Sequence, residues 1–539
     1  MQKNDYLCTQ IGEKDMKTQL RKLMIALCMA VLTSSVWALD VTISDPASWT
    51  TSDLSRYVGQ TITFTNDWYV CNNYNDTYKI SPRRLYSPTN QAIPLSIEYY
   101  SCVQLNQSGT VYVNGISGYH RMGERLRNMT VYVNSTTTVT LQSCTWEGNK
   151  RADLMQGIDL DEIDMRGTHS LLVCGMNLEY YLVENLGTGY GPANAAEHRR
   201  QRTKVGKALA KIGADIYGLV EIEQGQSAVS EVAADLTAAT GRNYTYVNDG
   251  GSSSGSYTKS GFVYCSDVVR PIGPFRYTNA GVARRKYMQL FEEIATGERF
   301  VYSINHFKAK SGASSATGDN VDMGDGQGAY NGTRQDEARA ILSLFESNST
   351  TFNDPDLLVM GDLNAYGKED PIRILTDYGM TDLHREMHAD TSYSYTYHGE
   401  AGYLDHALCT PELLPQVTGM TVFHINSDEQ DDFTYDSSND TTMFRCSDHD
   451  PVIVGLNLNH STTDLYINTA DVLTAQANLE IHNANGGHVK IYDINGRLCW
   501  DGTITNTVYT IDTKQYNAGL YIVHIYYNGK ISKHKMLVK

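Results

Sequence analysis

Met360-Gly361-Asp362-Leu363-Asn364-Ala365-Tyr366 closes the apolar run Asp356-Leu357-Leu358-Val359, and far along the chain Ser447-Asp448-His449-Asp450-Pro451-Val452 opens the run Val452-Ile453-Val454. Both stretches place acidic, amide or imidazole groups where a buried strand reaches the surface. Other apolar runs stop in the same way. Leu171-Leu172-Val173-Cys174-Gly175-Met176 ends at Asn177, Asp215-Ile216-Tyr217-Gly218-Leu219-Val220 at Glu221, and Arg299-Phe300-Val301-Tyr302-Ser303-Ile304 at Asn305-His306. Between them the spacing predicts helices. One runs from about Ala195 to Ile212 with Val205, Ala208, Leu209 and Ile212 in a stripe. Another is capped by Thr333, with Asp336 three residues on, and turns Ala338, Ile341, Leu342 and Phe345 inward. Strands alternating with helices predict an α/β or α+β layered domain, whose ligands collect outside the strand ends. The polar residues named above therefore converge on one cleft.

Their chemistry suits phosphodiester hydrolysis. Mg²⁺ takes oxygen ligands from one or two carboxylates plus water, and Glu221, Asp448 and the amide oxygen of Asn177 are such donors. Asp362 and His449 are the groups to orient or deprotonate an attacking water. Asp405, in Tyr403-Leu404-Asp405-His406-Ala407-Leu408, can hold the imidazole of His449 in one tautomer. Asn364 would bond a phosphate oxygen or the water. His406 faces the opposite way by strand alternation and reads as structural. Glu223 shares a face with Glu221, as a supporting carboxylate or a solvated one.

Taken in order, Met176-Asn177-Leu178-Glu179, Leu219-Val220-Glu221-Ile222-Glu223, Asn305-His306-Phe307-Lys308, Gly361-Asp362-Leu363-Asn364, Leu404-Asp405-His406 and Ser447-Asp448-His449-Asp450-Pro451-Val452 resemble the motifs of the endonuclease/exonuclease/phosphatase superfamily. The resemblance covers residues 168–458 and implies the deoxyribonuclease-like fold, a four-layer α+β sandwich. It further implies Asn177, Glu221 and Asp448 as metal ligands, and Asp362, Asn364, Asp405 and His449 as the catalytic core. His306 would contact phosphate or protonate the leaving oxygen, and Lys308 would face phosphate. Gly361 to Pro371, with Gly326-Gln327-Gly328-Ala329-Tyr330-Asn331 before a helix bearing Arg334, resemble the secreted bacterial nucleases, so Arg334 joins Lys308 as an implied substrate contact. The activity implied is metal-dependent cleavage of DNA, with RNA admitted, by an endonuclease using Mg²⁺, or Mn²⁺ or Ca²⁺. The alternative is a phosphodiesterase or phosphatase acting on a lipid or small phosphate ester. A non-catalytic adhesin would predict a lost ligand, and every expected ligand is present. Two positions depart from the pattern: Ala309 stands where Ser is common, and Cys446 precedes the Ser-Asp-His triplet, to pair with Cys409 or stay free.

At 539 residues the chain is too long for one ordinary core. Its 41% apolar content argues against wholesale disorder, and a net charge of −17 disfavours a broad basic surface for nucleic acid without excluding phosphate contact through a cation. Residues 1–38 read as a leader. Starting from Met16, a basic segment, the apolar run Leu23 to Leu32 and Val36-Trp37-Ala38 predict a signal peptide cleaved after Ala38, too short to span a membrane. Residues 39–165 hold short alternating runs such as Gly109-Thr110-Val111-Tyr112-Val113, predicting an all-β barrel or sandwich. An OB-like form could bind single strands through Arg83, Arg84, Arg121, Arg125 and Arg127, which otherwise read as solvated. Residues 465–539 predict a β-sandwich with a hairpin turn at Asn495-Gly496. That region resembles the type IX secretion sorting domain of Bacteroidota, through Ile491-Tyr492-Asp493-Ile494-Asn495-Gly496-Arg497 and Ala518-Gly519-Leu520-Tyr521-Ile522-Val523.

The whole therefore reads as a multidomain, monomeric protein, secreted or attached to the cell surface, with nucleic acid and the secretion machinery as partners. Cys174 and Cys265 are predicted to be buried free thiols. Asp319 to Asp325 and Asp428 to Asp432 read as flexible acidic loops. The basic run His198 to Lys207 reads as a solvated helix surface with about two phosphate contacts.

Overall fold

The computed structural model describes residues 38–539 except 75–76, 252–256, 280–281, 283, 459–465, 469–477, 483–484, 495, 507, 528–529 and 539. The predicted signal peptide and the Asn495 turn lie outside the described residues.

The central domain is an α/β sandwich of two six-stranded sheets. In the first, Leu171–Tyr181 and Ile216–Glu223 run parallel at the centre, and Val452–Leu456 lies antiparallel beside the former. In the second, Arg299–His306 and Leu357–Asp362 run parallel, and Asp405–Cys409 is antiparallel to the latter. Alternation along a strand assigns each side chain to a face. Leu171 and Val173 turn inward to meet Tyr302, Ile304, Leu358 and Met360 of the other sheet, whereas Leu172, Cys174 and Met176 turn outward. Those outward residues are covered by helix Ala195–Ile212, through Val205, Ala208, Leu209 and Ile212. Asn194 caps that helix by accepting from the backbone N–H of Ala196 and Glu197, and Gly213, at φ 68°, ends it. Helix Asn331–Ser347 covers the second sheet, packing Ala338, Ile341, Leu342 and Phe345 on Val301, Leu357 and Val359. It starts ahead of the predicted cap. Thr333 already lies in its first turn, because Asn320, from the preceding loop, accepts both its N–H and its hydroxyl.

The sheets approach most closely where side chains are missing. Gly218 faces Tyr302, whose buried hydroxyl donates to the Cys174 carbonyl at 3.0 Å, and a Cβ on Gly218 would stand 2.7 Å from Ile304 Cδ1. Gly218→Ala is therefore expected to lower the unfolding free energy by about 1–3 kcal/mol through overpacking, read as a shift in urea midpoint. An unchanged midpoint would mean that the sheets part easily.

Ahead of this domain a small barrel closes on itself. Thr61–Phe64 and Trp68–Asn72 run along one side of Arg125–Val133, and Thr138–Glu147 runs along the other. Tyr78–Ser81 and Val111–Asn114 complete the ring, the latter pairing parallel with Thr138–Glu147. Trp68, Ile62, Ile80, Leu126 and Val131 fill it. Helix Ile97–Ser108, which the strand-like sequence did not suggest, joins two of these strands. At the other end, two antiparallel sheets enclose Leu479, Ile481, Val489, Ile491, Val523 and Ile525.

The barrel arginines correct the sequence reading in part: Arg83, Arg84 and Arg121 are engaged inside the protein, while Arg125 and Arg127 stay solvated and are held by surface carboxylates. Arg84 pairs with Asp428 at 2.5 Å, Arg121 with Glu429 at 2.6 Å, and Arg151 with the same Glu429 at 2.5 Å. Arg83 donates to the carbonyls of Pro46, Trp49 and Leu105, while Arg125 and Arg127 pair with Asp67 and Glu147. The stretch from Asp428 to Gln430 is correspondingly buried rather than a mobile acidic loop. Its charge fastens the central domain to the barrel. The basic helix is tied down in the same fashion: Arg202 holds Glu231 and Asp235, Arg200 bonds the Tyr435 carbonyl, and Lys204 is buried near Asp440.

Candidate active site

Strand register assembles the polar ends. His306 stands opposite Asp362 in the parallel pair, and Asp362 opposite Asp405 in the antiparallel one, so three strands of one sheet finish at one level. On the facing sheet Asn177 pairs with Val220, one residue short of Glu221. Val452 pairs with Gly175, which brings the preceding Asp448-His449 over the same edge. The backbone is strained here. Glu179, Tyr180, Glu221, Asn364 and Arg445 all carry positive φ, between 47° and 58°, a region that costs non-glycine residues energy and that marks functional sites.

His449 is the centre of the hydrogen-bond network. Its Nδ1 lies 2.6 Å from Asp405 Oδ2, so Nδ1 carries the proton and donates it. Ser394 donates its hydroxyl to the same carboxylate oxygen at 2.7 Å and accepts the backbone N–H of Asp405, fixing the carboxylate in turn. The other face of the ring is covered by Tyr395, 4.6 Å between centroids. Nε2 points to open chemistry, 3.9 Å from both Asp362 and Asp448. Burial opposes a charge on this imidazole, but the carboxylates of Asp405, Asp448 and Asp362 outweigh it and hold its pKa well above the usual value. His306 is the reverse case. Burial, then the cations Arg284 and Lys286, keep it neutral, with Nε2 3.5 Å from both Glu221 and Asp362.

Asp362 is oriented by Asn364, whose backbone N–H and side-chain amide donate to its two oxygens at 2.8 and 3.1 Å, and by the Asn177 amide at 3.2 Å. Burial raises the pKa of Asp362; the charge of His449 opposes the rise and that of Asp405 adds to it. Glu221 accepts the Tyr180 N–H at 3.0 Å, and burial with the charges of Asp448 and Asp362 pushes its carboxyl up to about 7. Glu179 is pushed up by burial and by Asp448, and its Oε2 is buried without a hydrogen-bond partner.

These carboxylates fit a cation. They repel one another's charge, and one buried oxygen has no donor. Among the described residues no group of three His, Cys, Asp or Glu is gathered to hold a metal. Mg²⁺ needs no such group, since one or two carboxylates plus water suffice. Glu221 and Asp448 would supply these, and the Asn177 oxygen, which already accepts the Glu179 N–H, retains a second lone pair.

A testable linkage follows. With no cation, the folded state holds a proton on Glu221 up to about 7 that the unfolded chain releases near 4.5. Protons bound in excess by the folded state make stability fall as pH rises through that window. A cation replaces the proton. The melting-temperature gain on adding Mg²⁺ is therefore expected to be larger at about pH 8 than at about pH 5. A gain independent of pH, or none, would separate these carboxylates from metal binding.

The cations of two implied substrate contacts are engaged within the protein. Arg334 is fully buried, and its guanidinium donates to the carbonyls of Gln327, Ala329 and Lys308. It holds the Gly326–Asn331 loop on its helix rather than meeting substrate. Lys308 Nζ donates to the Ala309 and Ser311 carbonyls and lies 4.1 Å from the Tyr330 ring centroid. Glu223 also departs from both sequence readings: it is buried, and accepts the backbone N–H groups of Val183, Glu184 and Asn185. His406 is buried with Nε2 donating to the Ala365 carbonyl at 2.7 Å. Cys409 and Cys446 are free buried thiols, as are Cys174 and Cys265.

Sequence reading missed Ser394, Tyr395 and Arg284. Arg284 lies in an irregular segment with no spacing to signal it, whereas Ser394 and Tyr395 lead into the short strand Tyr395–Tyr397, where the alternation Tyr393-Ser394-Tyr395-Thr396-Tyr397 was the available signal. Glu179 was in view two residues beyond Asn177, and only its buried, unpaired oxygen sets it apart.

The model of the Endonuclease/Exonuclease/phosphatase family matches residues 183–449, a span that takes in Glu221, His306, Asp362, Asp405 and His449 and begins after Asn177. A second model, the Secretion system C-terminal sorting domain, matches residues 469–539. None of the curated proteins matches the chain. Similar solved structures include an endonuclease/exonuclease/phosphatase from Bacteroides vulgatus, 15% identical, covering 54% of this chain and 99% of that one, TM-score 0.35. The human Nocturnin catalytic domain with bound sulfate is 13% identical over 53% of this chain and 93% of its own, TM-score 0.35. A mannosyl-6-phosphatase from Bacteroides thetaiotaomicron is 15% identical over 53% and 99%, TM-score 0.34. Among the described residues no helix is long and apolar enough to cross a membrane.

Proposed function

Because the chain carries a phosphoesterase domain of the endonuclease/exonuclease/phosphatase family followed by a type IX secretion sorting domain, we propose that it is an exported, metal-dependent nuclease that cleaves DNA internally. The observation that supports a hydrolytic site is the alignment of Asp405, His449 and Asp362, with the second ring nitrogen of His449 3.9 Å from two carboxylates.

A bound Mg²⁺, held by Glu221, Asp448 and Asn177, would supply positive charge against the developing phosphate oxyanion. The remaining work belongs to side chains. Asp362, its pKa raised toward neutrality, takes a proton from the attacking water, since a base is most effective when its pKa lies near the working pH. Asn364 keeps that carboxylate aligned. His449, charged and braced by Asp405, donates Nε2–H to a non-bridging phosphate oxygen. Water oxygen bonds to phosphorus, the bond to the leaving sugar oxygen breaks, that oxygen takes up a proton from solvent water, and Asp362 returns its proton to solvent. Neutral His306 lies beside both Glu221 and Asp362, placed to donate a hydrogen bond during departure.

The substrate is tested by parallel assays of purified protein on DNA, RNA, sphingomyelin and a sugar phosphate with Mg²⁺. The proposal expects the greatest kcat/KM on DNA. Turnover confined to sphingomyelin or the sugar phosphate would keep the site and replace the substrate class.

A further inference from the structure

A file of tyrosines leads away from the carboxylates. Tyr180 is anchored at the site, its backbone N–H donating to Glu221 at 3.0 Å. Left-handed φ values of 52° and 53° at Glu179 and Tyr180 break the alternation of the strand there, while neighbouring Leu178 and Tyr181 stay buried. Tyr180 stacks on Tyr190, with centroids 5.1 Å apart and planes at 23°, and Tyr190 meets Tyr257 at 6.3 Å and 43°.

The loop presenting Tyr190 is built for the purpose. The Gly187 N–H donates to the Pro192 carbonyl at 3.1 Å, closing it, and Gly191, at φ 61°, lies so close to Tyr180 that a Cβ would come 3.1 Å from the Tyr180 Cβ. Only glycine lets the loop return against the anchored ring. Tyr190 and Tyr257 are nevertheless 53% and 43% exposed. Arg284 is the cation whose charge reaches both Tyr180 and Glu221.

We propose that Tyr190 and Tyr257, backed by Tyr180, form a stacking subsite for an unpaired base next to the scissile phosphate. The inference rests on the nuclease reading. Flat rings with exposed faces suit nucleobases of any sequence, and a base inside an intact duplex cannot reach them. The surface is continuous with the carboxylate cluster, which puts a bound base within a nucleotide or so of the phosphate.

The test is binding by fluorescence anisotropy, with the full chain in EDTA and labelled oligothymidylate beside an abasic strand of equal length. Tyr190→Ala and Tyr257→Ala are each expected to weaken oligothymidylate binding about tenfold and to leave the abasic strand unaffected, with Tyr190→Phe binding as the wild type does. Unchanged oligothymidylate affinity in both alanine variants, or equal losses on both strands, would overturn the subsite while leaving the nuclease intact. A wild type that binds neither strand, yet hydrolyses another phosphate ester, would overturn the nuclease reading and the subsite together.

Discussion

His449→Ala and Asp362→Ala are each expected to lower kcat by about 10²–10⁴, the contribution of a positioned acid or base. The argument is one of replacement. No other imidazole among the described residues of the cluster is charged, since His306, whose Nε2 faces the same Asp362 oxygen, is kept neutral by burial and by Arg284. Asn364 cannot substitute for the Asp362 carboxylate, because its amide donates to the Phe307 carbonyl and has no proton affinity. Near-ultraviolet circular dichroism should show native packing in both variants, so the loss would be catalytic. Turnover near the wild-type value in either would remove that residue from the mechanism.

Glu429→Ala is expected to lower stability by about 3–5 kcal/mol, the cost of leaving buried charge unpaired. Arg121 is 1% exposed and Arg151 lies beside it, both directed at this carboxylate, and Tyr119 donates its hydroxyl to it at 2.5 Å. Chemical denaturation measures the loss. The double variant Arg121→Met, Glu429→Met should recover the part owed to Arg121, because two apolar groups need no partner, while Arg151 and Tyr119 still lose theirs. Activity should follow stability. The loop that carries Glu429 also carries Asn426, whose amide donates to the His449 carbonyl at 2.6 Å, and the Asn426 and Ser427 N–H groups that hold Asp450. A barrel merely tethered to the catalytic domain would instead give a Glu429→Ala variant of unchanged stability.

The catalytic strands were legible because burial on both faces leaves a continuous apolar run, and such a run stops abruptly at a polar residue. Asn177, Glu221, His306, Asp362 and Asp448-His449 stand at those stops, and Asp405 was read as the carboxylate to hold His449. Helix Ala195–Ile212 was legible for the same kind of reason, a stripe of period 3.6 between Asn194 and Gly213. What the sequence hid depends on distant partners. Asp428 and Glu429 look like any acidic loop until Arg84, Arg121 and Arg151 arrive from more than two hundred residues away. Arg334 was implied as a substrate contact only by the resemblance of its loop and helix to secreted nucleases, and nothing in its sequence neighbourhood marks the burial in which three carbonyls enclose it. Ser394 lies in a loop, and only its bonds to Asp405 reveal that it supports the carboxylate holding His449.

The most direct test of the central claim is incubation of supercoiled plasmid with the purified protein in Mg²⁺ and in EDTA, followed over time on a gel. The account predicts nicked circles before linear product with Mg²⁺ and no cleavage in EDTA. Intact plasmid in Mg²⁺, from a preparation that hydrolyses a lipid or sugar phosphate, would contradict it.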